Sequence, residues 1–292
     1  MSGLRKLLQT TKQELELRLQ HEYAYNREDA FLEATYSAMR YMMFLGGGGK
    51  RIRPLLVIAA NLACGGRADG TTWSIACGVE EIHTYALILD DIQDKSDLRR
   101  GLPSCHARYG ANTAILAAMR LYERGLEPFH RLTSYSGRIR PLLDALHRGQ
   151  AADLEATTWP PEKLTIENLR FIHGGKTSAL FQLACLGGAA LAQASAPTID
   201  AVLNYAYFLG LAFQAKDDIL DVTSTPEVLG KPTQADTAMT KLTYPTLLGS
   251  IGAAQVEAVE LAEIAISELR KVFGPGAEVL EELARYSVNR EK

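Results

Sequence analysis

Apolar residues recur at helical spacing along nearly the whole chain. In YSAMRYMMFL, for example, Met39, Met42 and Met43 fall at i, i+3 and i+4, the spacing of one helical face. Long alternating patterns of the β type are missing. Gly and Pro punctuate the periodic runs at Gly46 to Gly49, Gly101 with Pro103, Pro160 with Pro161, Pro226 with Gly230, and Gly274 to Gly276. The pattern predicts an all-α chain of about ten or more helices in one bundle-like domain. No linker, low-complexity tract or long repeat divides it, so residues 1–292 are read as a single domain.

Thr177 to Ile199 carries no charge over nearly the length of a membrane span. It is built mostly of Ala and Gly and contains Gln182 and Gln193. Small residues let helices approach closely, so a central helix buried on all sides is the expected role. The start, MSGLRKLLQTTKQELELRL, has charges throughout and no apolar h-region, unlike a signal peptide.

Composition narrows the function classes. Of 292 residues 47% are hydrophobic and 22% charged, and the net charge of −3 points neither to nucleic acid nor to an anionic membrane. Cys64, Cys77, Cys105 and Cys185 form no CxxC pair, which argues against zinc and against a disulfide framework. Scattered thiols of this kind are expected in a reducing cytoplasm.

One echo stands out in the pattern. DDIQD, Asp90 to Asp94, follows EEIHTYALIL, and DDILD, Asp217 to Asp221, follows YAYFLGLAFQ. Residues four apart on a helix share a face. Asp90 and Asp94 are therefore neighbours with Asp91 beside them, and Asp217, Asp218 and Asp221 repeat the arrangement. Clustered carboxylates after an apolar run repel each other and resist burial. Solvated helix ends would explain the pair; hard divalent cations would relieve the repulsion instead. Magnesium takes few carboxylates, keeps waters and bridges to substrate phosphates.

Basic residues flank these clusters. Gly46 to Gly49 lead into Lys50, Arg51 and Arg53, a turn that lets backbone N–H groups approach an anion. A P-loop is excluded, because Arg51 follows the lysine and Phe44 stands where a glycine is required. Arg99 and Arg100 follow the first cluster and suit phosphate oxygens. His83 lies almost two turns before Asp90, on the same face and roughly 10 Å away. Lys176 and Thr177 in HGGKTSALF, Lys231 in LGKPTQAD and Lys241 in KLTYP complete the cations. Individually each reads as a solvated surface charge. Together they describe metal on one side and cations on the other, a setting suited to a pyrophosphate leaving group.

With these motifs in order, GGKRIRP, EEIHTYALILDDIQDKSDLRRGLPSCH, GQAADL, GGKTSALF, LGLAFQAKDDILD, LGKPTQAD and KLTYP, the chain resembles the polyprenyl synthetase family of trans-prenyltransferases. The resemblance implies an all-α isoprenoid-synthase bundle with a central cavity, a homodimer, and Mg²⁺-dependent head-to-tail elongation of an allylic diphosphate by isopentenyl diphosphate. It implies two or three Mg²⁺ ions on Asp90, Asp91, Asp94, Asp217, Asp218 and Asp221. Gly49, Lys50, Arg53, His83 and Arg100 would hold isopentenyl diphosphate. Arg99, Lys176, Thr177, Gln214, Lys231 and Lys241 would contact the allylic diphosphate, with Lys176 and Lys241 joining the aspartates in catalysis. Gln150 and Asp153 match the helix that supports the second cluster. Tyr85 and Ala86, the fifth and fourth residues before Asp90, would set product length. One bulky and one small residue there resembles a twenty-carbon rather than a fifteen-carbon synthase, with Gly78 leaving room beyond Tyr85. The segment from Ala118 and Met119 to Gly149 departs from the family pattern, which bears on the cavity floor and the dimer interface. A class I terpene cyclase and a non-catalytic subunit of a heteromeric synthase are the rival readings. The second DDILD and the retained Lys50, Arg53 and His83 count against both.

Overall fold

The helical period is realised throughout the computed structural model, which describes residues 3–23, 32–223, 242–274 and 276–290. The chain runs through α1 (Gly3–Glu22), α2 (Glu33–Phe44), α3 (Ile52–Ala63), α4 (Gly70–Gln93), α5 (Cys105–Tyr109), α6 (Ala111–Leu126), α7 (Ser136–Ala156) and α8 (Ile166–His173). It continues with α9 (Ala179–Leu191), α10 (Ala196–Thr223), α11 (Tyr244–Leu248), α12 (Ile251–Phe273) and α13 (Glu278–Asn289). Side-chain caps start several of these helices. Asp69 accepts from the Thr72 amide at α4, Thr165 from Asn168 at α8, and Ser250 from Ala253 at α12. At α11, Thr243 and Thr246 cap each other reciprocally, with Pro245 in the first turn.

The centre is α3, α4, α9 and α10. α3 packs along α9, α4 along α6, and α10 along α12. α9 is buried on nearly every side: Leu180, Phe181, Leu183, Leu186 and its alanines are all inaccessible. Each fully buried leucine or phenylalanine contributes about 1.5–3 kcal/mol. The charge-free run does not form one span. α9 stops at Leu191, Gln193 turns the backbone at φ 54°, and α10 begins at Ala196. No helix among the described residues is long and apolar enough to cross a membrane.

Two details of packing depart from expectation. Gly78 does not open space beyond Tyr85. A Cβ there would lie 2.5 Å from the carbonyl oxygen of Gly125, so Gly78 exists to let α4 and α6 touch. Met119 is 60% exposed on α6, beside exposed Ile115 and Leu116, whereas Ala118 faces the core. The atypical segment therefore puts its methionine on the surface rather than on a cavity floor. A small element is too short to show an alternating pattern in the sequence. β1 (Leu98–Arg99) pairs with β2 (Leu102–Pro103) as an antiparallel hairpin, turned by Arg100 and Gly101 at φ 54° and 74°.

Candidate active site

α4 ends in the first aspartate cluster. Asp91 is 1% exposed and is gripped by Arg99, whose Nε lies 2.7 Å from Oδ2 and whose Nη2 lies 2.7 Å from Oδ1. Burial raises the Asp91 carboxyl above its ordinary range, and the guanidinium opposes that rise. The hairpin turn folds Arg99 back onto this carboxylate. Arg99 is thus committed to Asp91, and reaches Asp90 at 3.6 Å.

Asp90 faces a different set. Lys176 Nζ lies 2.8 Å from it and 2.7 Å from Asp153, and Gln150 donates to it at 3.2 Å. Burial alone would lower the Lys176 ammonium, but Asp90 and Asp153 raise it above the usual lysine range, so it stays charged. This junction depends on two glycines. Gly149 in α7 and Gly175 in the π-helical turn Gly174–Ser178 lie backbone to backbone, and a Cβ on Gly175 would meet the Gly149 Cα at 2.6 Å. Their contact lays α7 against the π turn, which sets Gln150 and Asp153 beside Lys176 and Asp90. Among the described residues Gln150 bonds Asp90 and Asp153 bonds Lys176, so both meet the first cluster where the family pattern set them beside the second.

α10 ends in the second cluster. Thr177 Oγ1 donates to Gln214 Oε1 at 3.0 Å, and Gln214 Nε2 donates to Asp218 Oδ1 at 3.2 Å. The Tyr244 amide donates to Asp218 Oδ2 at 3.0 Å. Asp218 and Asp221 are buried, whereas the Asp217 side chain is 41% exposed and ion-paired to Arg290 at 2.7 Å. The π turn thus links the two clusters: Lys176 holds the first and Thr177, through Gln214, the second.

The basic set lies alongside. Arg53 Nη1 is 3.1 Å from His83 Nε2. Burial, then the neighbouring Arg53, Arg100 and Arg99, hold the His83 imidazole well below its ordinary value. It is neutral at pH 7, so Nε2 accepts from Arg53 and Nδ1 carries the proton. Burial lowers Arg53 to about 10, opposed by Glu80 and Asp217, which leaves it cationic at neutral pH. Arg100 donates to the Leu45 carbonyl at 2.7 Å, at the head of the glycine turn, while Lys50 and Gly49 lie on its rim. Neighbouring Arg51 has a separate task. It is buried and bonded to Glu80, Glu16 and the Met43 carbonyl, which pins α1, α3 and α4 together.

Below the first cluster, Tyr85 closes a wall with two partners. Its hydroxyl is 2.9 Å from His147 Nε2 and its ring centroid 4.7 Å from that of Tyr122. Behind this wall, between α6 and α7, is a cavity of about 590 Å³ lined by Leu126, Phe129, Leu132, Ile139 and Leu143. Ala86 is half-buried on the adjacent stripe. His147, Tyr122 and Arg290 were not singled out from sequence. Their signals are tertiary, since none lies near an aspartate cluster along the chain.

Lys231 and Lys241 lie outside the described residues. Among the described residues no three His, Cys, Asp or Glu side chains converge at metal-ligand spacing. Lys176 and Arg290 instead bring positive charge to the exposed members of the clusters.

A family model for polyprenyl synthetases matches residues 33–271. The chain belongs to the polyprenyl synthetase family. It is 40% identical over 235 residues to geranylgeranyl pyrophosphate synthase 9, chloroplastic, of Arabidopsis thaliana, covering 75% of the chain but 64% of that relative. It therefore spans less than two thirds of the plant relative's length. It is 37% identical over 271 residues to a dimethylallyltranstransferase of Fischerella ambigua (strain UTEX 1903), covering 88% of the chain and 76% of that protein. In fold the chain matches geranylgeranyl pyrophosphate synthetase from Pyrococcus horikoshii Ot3 with a TM-score of 0.84 at 26% identity, over 99% and 100% of the two chains. A polyprenyl synthase from Caulobacter crescentus CB15, solved with calcium and isoprenyl diphosphate, gives the same TM-score and identity over 99% and 97%.

Proposed function

We propose that this polyprenyl synthetase joins isopentenyl diphosphate to an allylic diphosphate, with Mg²⁺, and releases pyrophosphate. The observation that carries this reading is the π turn, which puts Lys176 on Asp90 and Thr177 on Gln214, so that both aspartate clusters belong to one site. The donor set suits the metal: it offers carboxylate oxygens, the ligands hard dications prefer, with a cation now balancing Asp90 and another Asp217. Asp90 and Asp94, with Asp217, Asp218 and Asp221, would hold two or three ions. When bound, Mg²⁺ neutralises the charge that develops on the departing pyrophosphate.

The chain's own residues do the rest. Lys176 and Thr177 would orient the allylic diphosphate, with Lys231 and Lys241. The fixed positive groups favour the leaving group as the allylic C–O bond breaks. Arg53, His83, Arg100 and Lys50 would hold isopentenyl diphosphate, with its double bond toward the resulting allylic cation. Proton loss, to the released pyrophosphate, completes the extension. The site must keep water from the cation. The Tyr85 wall supports a short product, twenty carbons favoured over fifteen, because a bulky residue stands one turn below the metal cluster and a small one beside it. Exposed Ile115, Leu116 and Met119 on α6 support a homodimer, and four unpaired cysteines suit the cytoplasm.

Incubating the purified chain with isopentenyl diphosphate, Mg²⁺ and dimethylallyl, geranyl or farnesyl diphosphate tests the reading. Elongated diphosphates are expected. A cyclic hydrocarbon formed without isopentenyl diphosphate would replace this reading with a cyclase, and no turnover of any primer would point to a non-catalytic subunit.

A further inference from the structure

Arg290 follows α13 and is only 4% exposed in its side chain. Its Nε donates to the Ser287 carbonyl at 3.0 Å, and Nη2 donates to the Phe213 carbonyl at 3.0 Å and to Asp217 Oδ1 at 2.7 Å. The guanidinium carbon lies 4.0 Å from the centre of the Phe213 ring. Phe213 in turn meets Phe181 edge-on at 5.5 Å, and Phe181 carries Arg53 at 5.1 Å on the isopentenyl side. A column of guanidinium, ring, ring and guanidinium thus runs between Asp217 and Arg53.

This arrangement is asymmetric. Asp217 is the exposed member of its cluster and can receive a ligand, while Asp218 and Asp221 are already buried. For Arg290, Asp217 is the one charged group bonded to it among the described residues; its other contacts are two carbonyls and a ring. A buried guanidinium that loses its carboxylate is costly to leave in place. A dication on Asp217 Oδ1 must displace the guanidinium, and one on Oδ2 must sit beside a fixed positive charge.

We infer that Arg290 is a positioning residue that holds Asp217 in the metal-free state and competes with the divalent cation for it, so that loading of the second cluster works against the Arg290 charge. This rests on the reading of the second cluster as a metal site. The competition raises the metal concentration the enzyme needs and keeps Asp217 aimed at the site mouth until metal arrives.

Mn²⁺ binding to the full chain, followed by electron paramagnetic resonance at fixed inorganic pyrophosphate, tests it. Arg290→Met should bind the cation of the second cluster roughly ten- to a hundredfold tighter than wild type, the value of one charge-assisted bond. Arg290→Lys should stay near wild type. Asp217→Asn should weaken binding, and in the double variant Arg290→Met should bring no gain. If Arg290→Met does not fold, Phe213→Leu, which removes the stacking surface and leaves the charge, should tighten Mn²⁺ binding by a smaller factor. Unchanged or weaker binding in Arg290→Met or, failing that, in Phe213→Leu, with Asp217→Asn weakened, would overturn the competition while leaving the metal site intact. No effect of Asp217→Asn would overturn the metal reading and the competition with it.

Discussion

Replacing Tyr85 by alanine should lengthen the main product. The substitution removes about seven heavy atoms from the wall, against about five carbons in one isoprene unit, so the vacancy alone accepts one further unit. It also breaks the hydrogen bond to His147 and the contact with Tyr122, which frees both rings to move. The direction of growth follows from packing. A tail cannot continue straight down α4, because Gly78 and Gly125 are in backbone contact there. It must turn between Tyr122 and His147 into the 590 Å³ cavity, where Leu126, Phe129, Leu132, Ile139 and Leu143 offer apolar contact beside Arg140 and Asp144 at its edge. At about 0.8 kcal/mol per buried methylene-sized group, each unit entering it gains up to about 4 kcal/mol. That gain exceeds the ~1.4 kcal/mol needed for a tenfold change in product ratio. Ala86→Phe should act oppositely and shorten the product. Chromatography of dephosphorylated products at equal turnover reads both. If Tyr85→Ala leaves the distribution unchanged, and Tyr85→Ala with Tyr122→Ala does too, this wall is not the floor and the reasoning fails.

Excess EDTA should abolish turnover and added Mg²⁺ restore it; full activity in the chelator would exclude a role for the aspartate clusters as metal ligands. Arg53→Ala should raise the KM for isopentenyl diphosphate roughly ten- to a hundredfold with much less change for the allylic substrate, and equal effects in steady-state kinetics would misplace the site. Gly78→Ala forces a methyl against the Gly125 carbonyl and should cost about 1–3 kcal/mol in urea unfolding; an unaltered midpoint would show that α4 and α6 are not held so closely. Burial pushes His173 down to about 3, so the folded state keeps it neutral while the unfolded chain, near 6.5, takes up a proton. Its contribution is present above pH 6.5 and is lost as pH falls toward 3. His173→Gln should flatten the fall in stability between pH 6.5 and 5 by up to about 2 kcal/mol, and an identical slope in the variant would refute the assignment.

Much of this site could be read from the chain because its chemistry is repeated locally. A helix turns at a known rate, so DDIQD and DDILD alone place carboxylates on one face of each helix, and GGGGKRIRP alone marks a turn with cations behind it. The helical class followed from the same periodicity. Spacing along one helix says which residues share a face, but not what that face meets. Lys50, Arg51 and Arg53 look equivalent in sequence; tertiary packing sends Arg51 to Glu80 and Glu16 in the core and leaves Arg53 on His83. Gly78 looks like empty space until Gly125 is found against it, and Gln150 and Asp153 meet Asp90 and Lys176 because Gly149 and Gly175 let α7 lie against the π turn. Asp217 meets Arg290 from 73 residues away. Such pairings depend on how closely helix backbones approach and at what angle they cross, and that is set by side chains on both partners at once, which no local window of sequence contains.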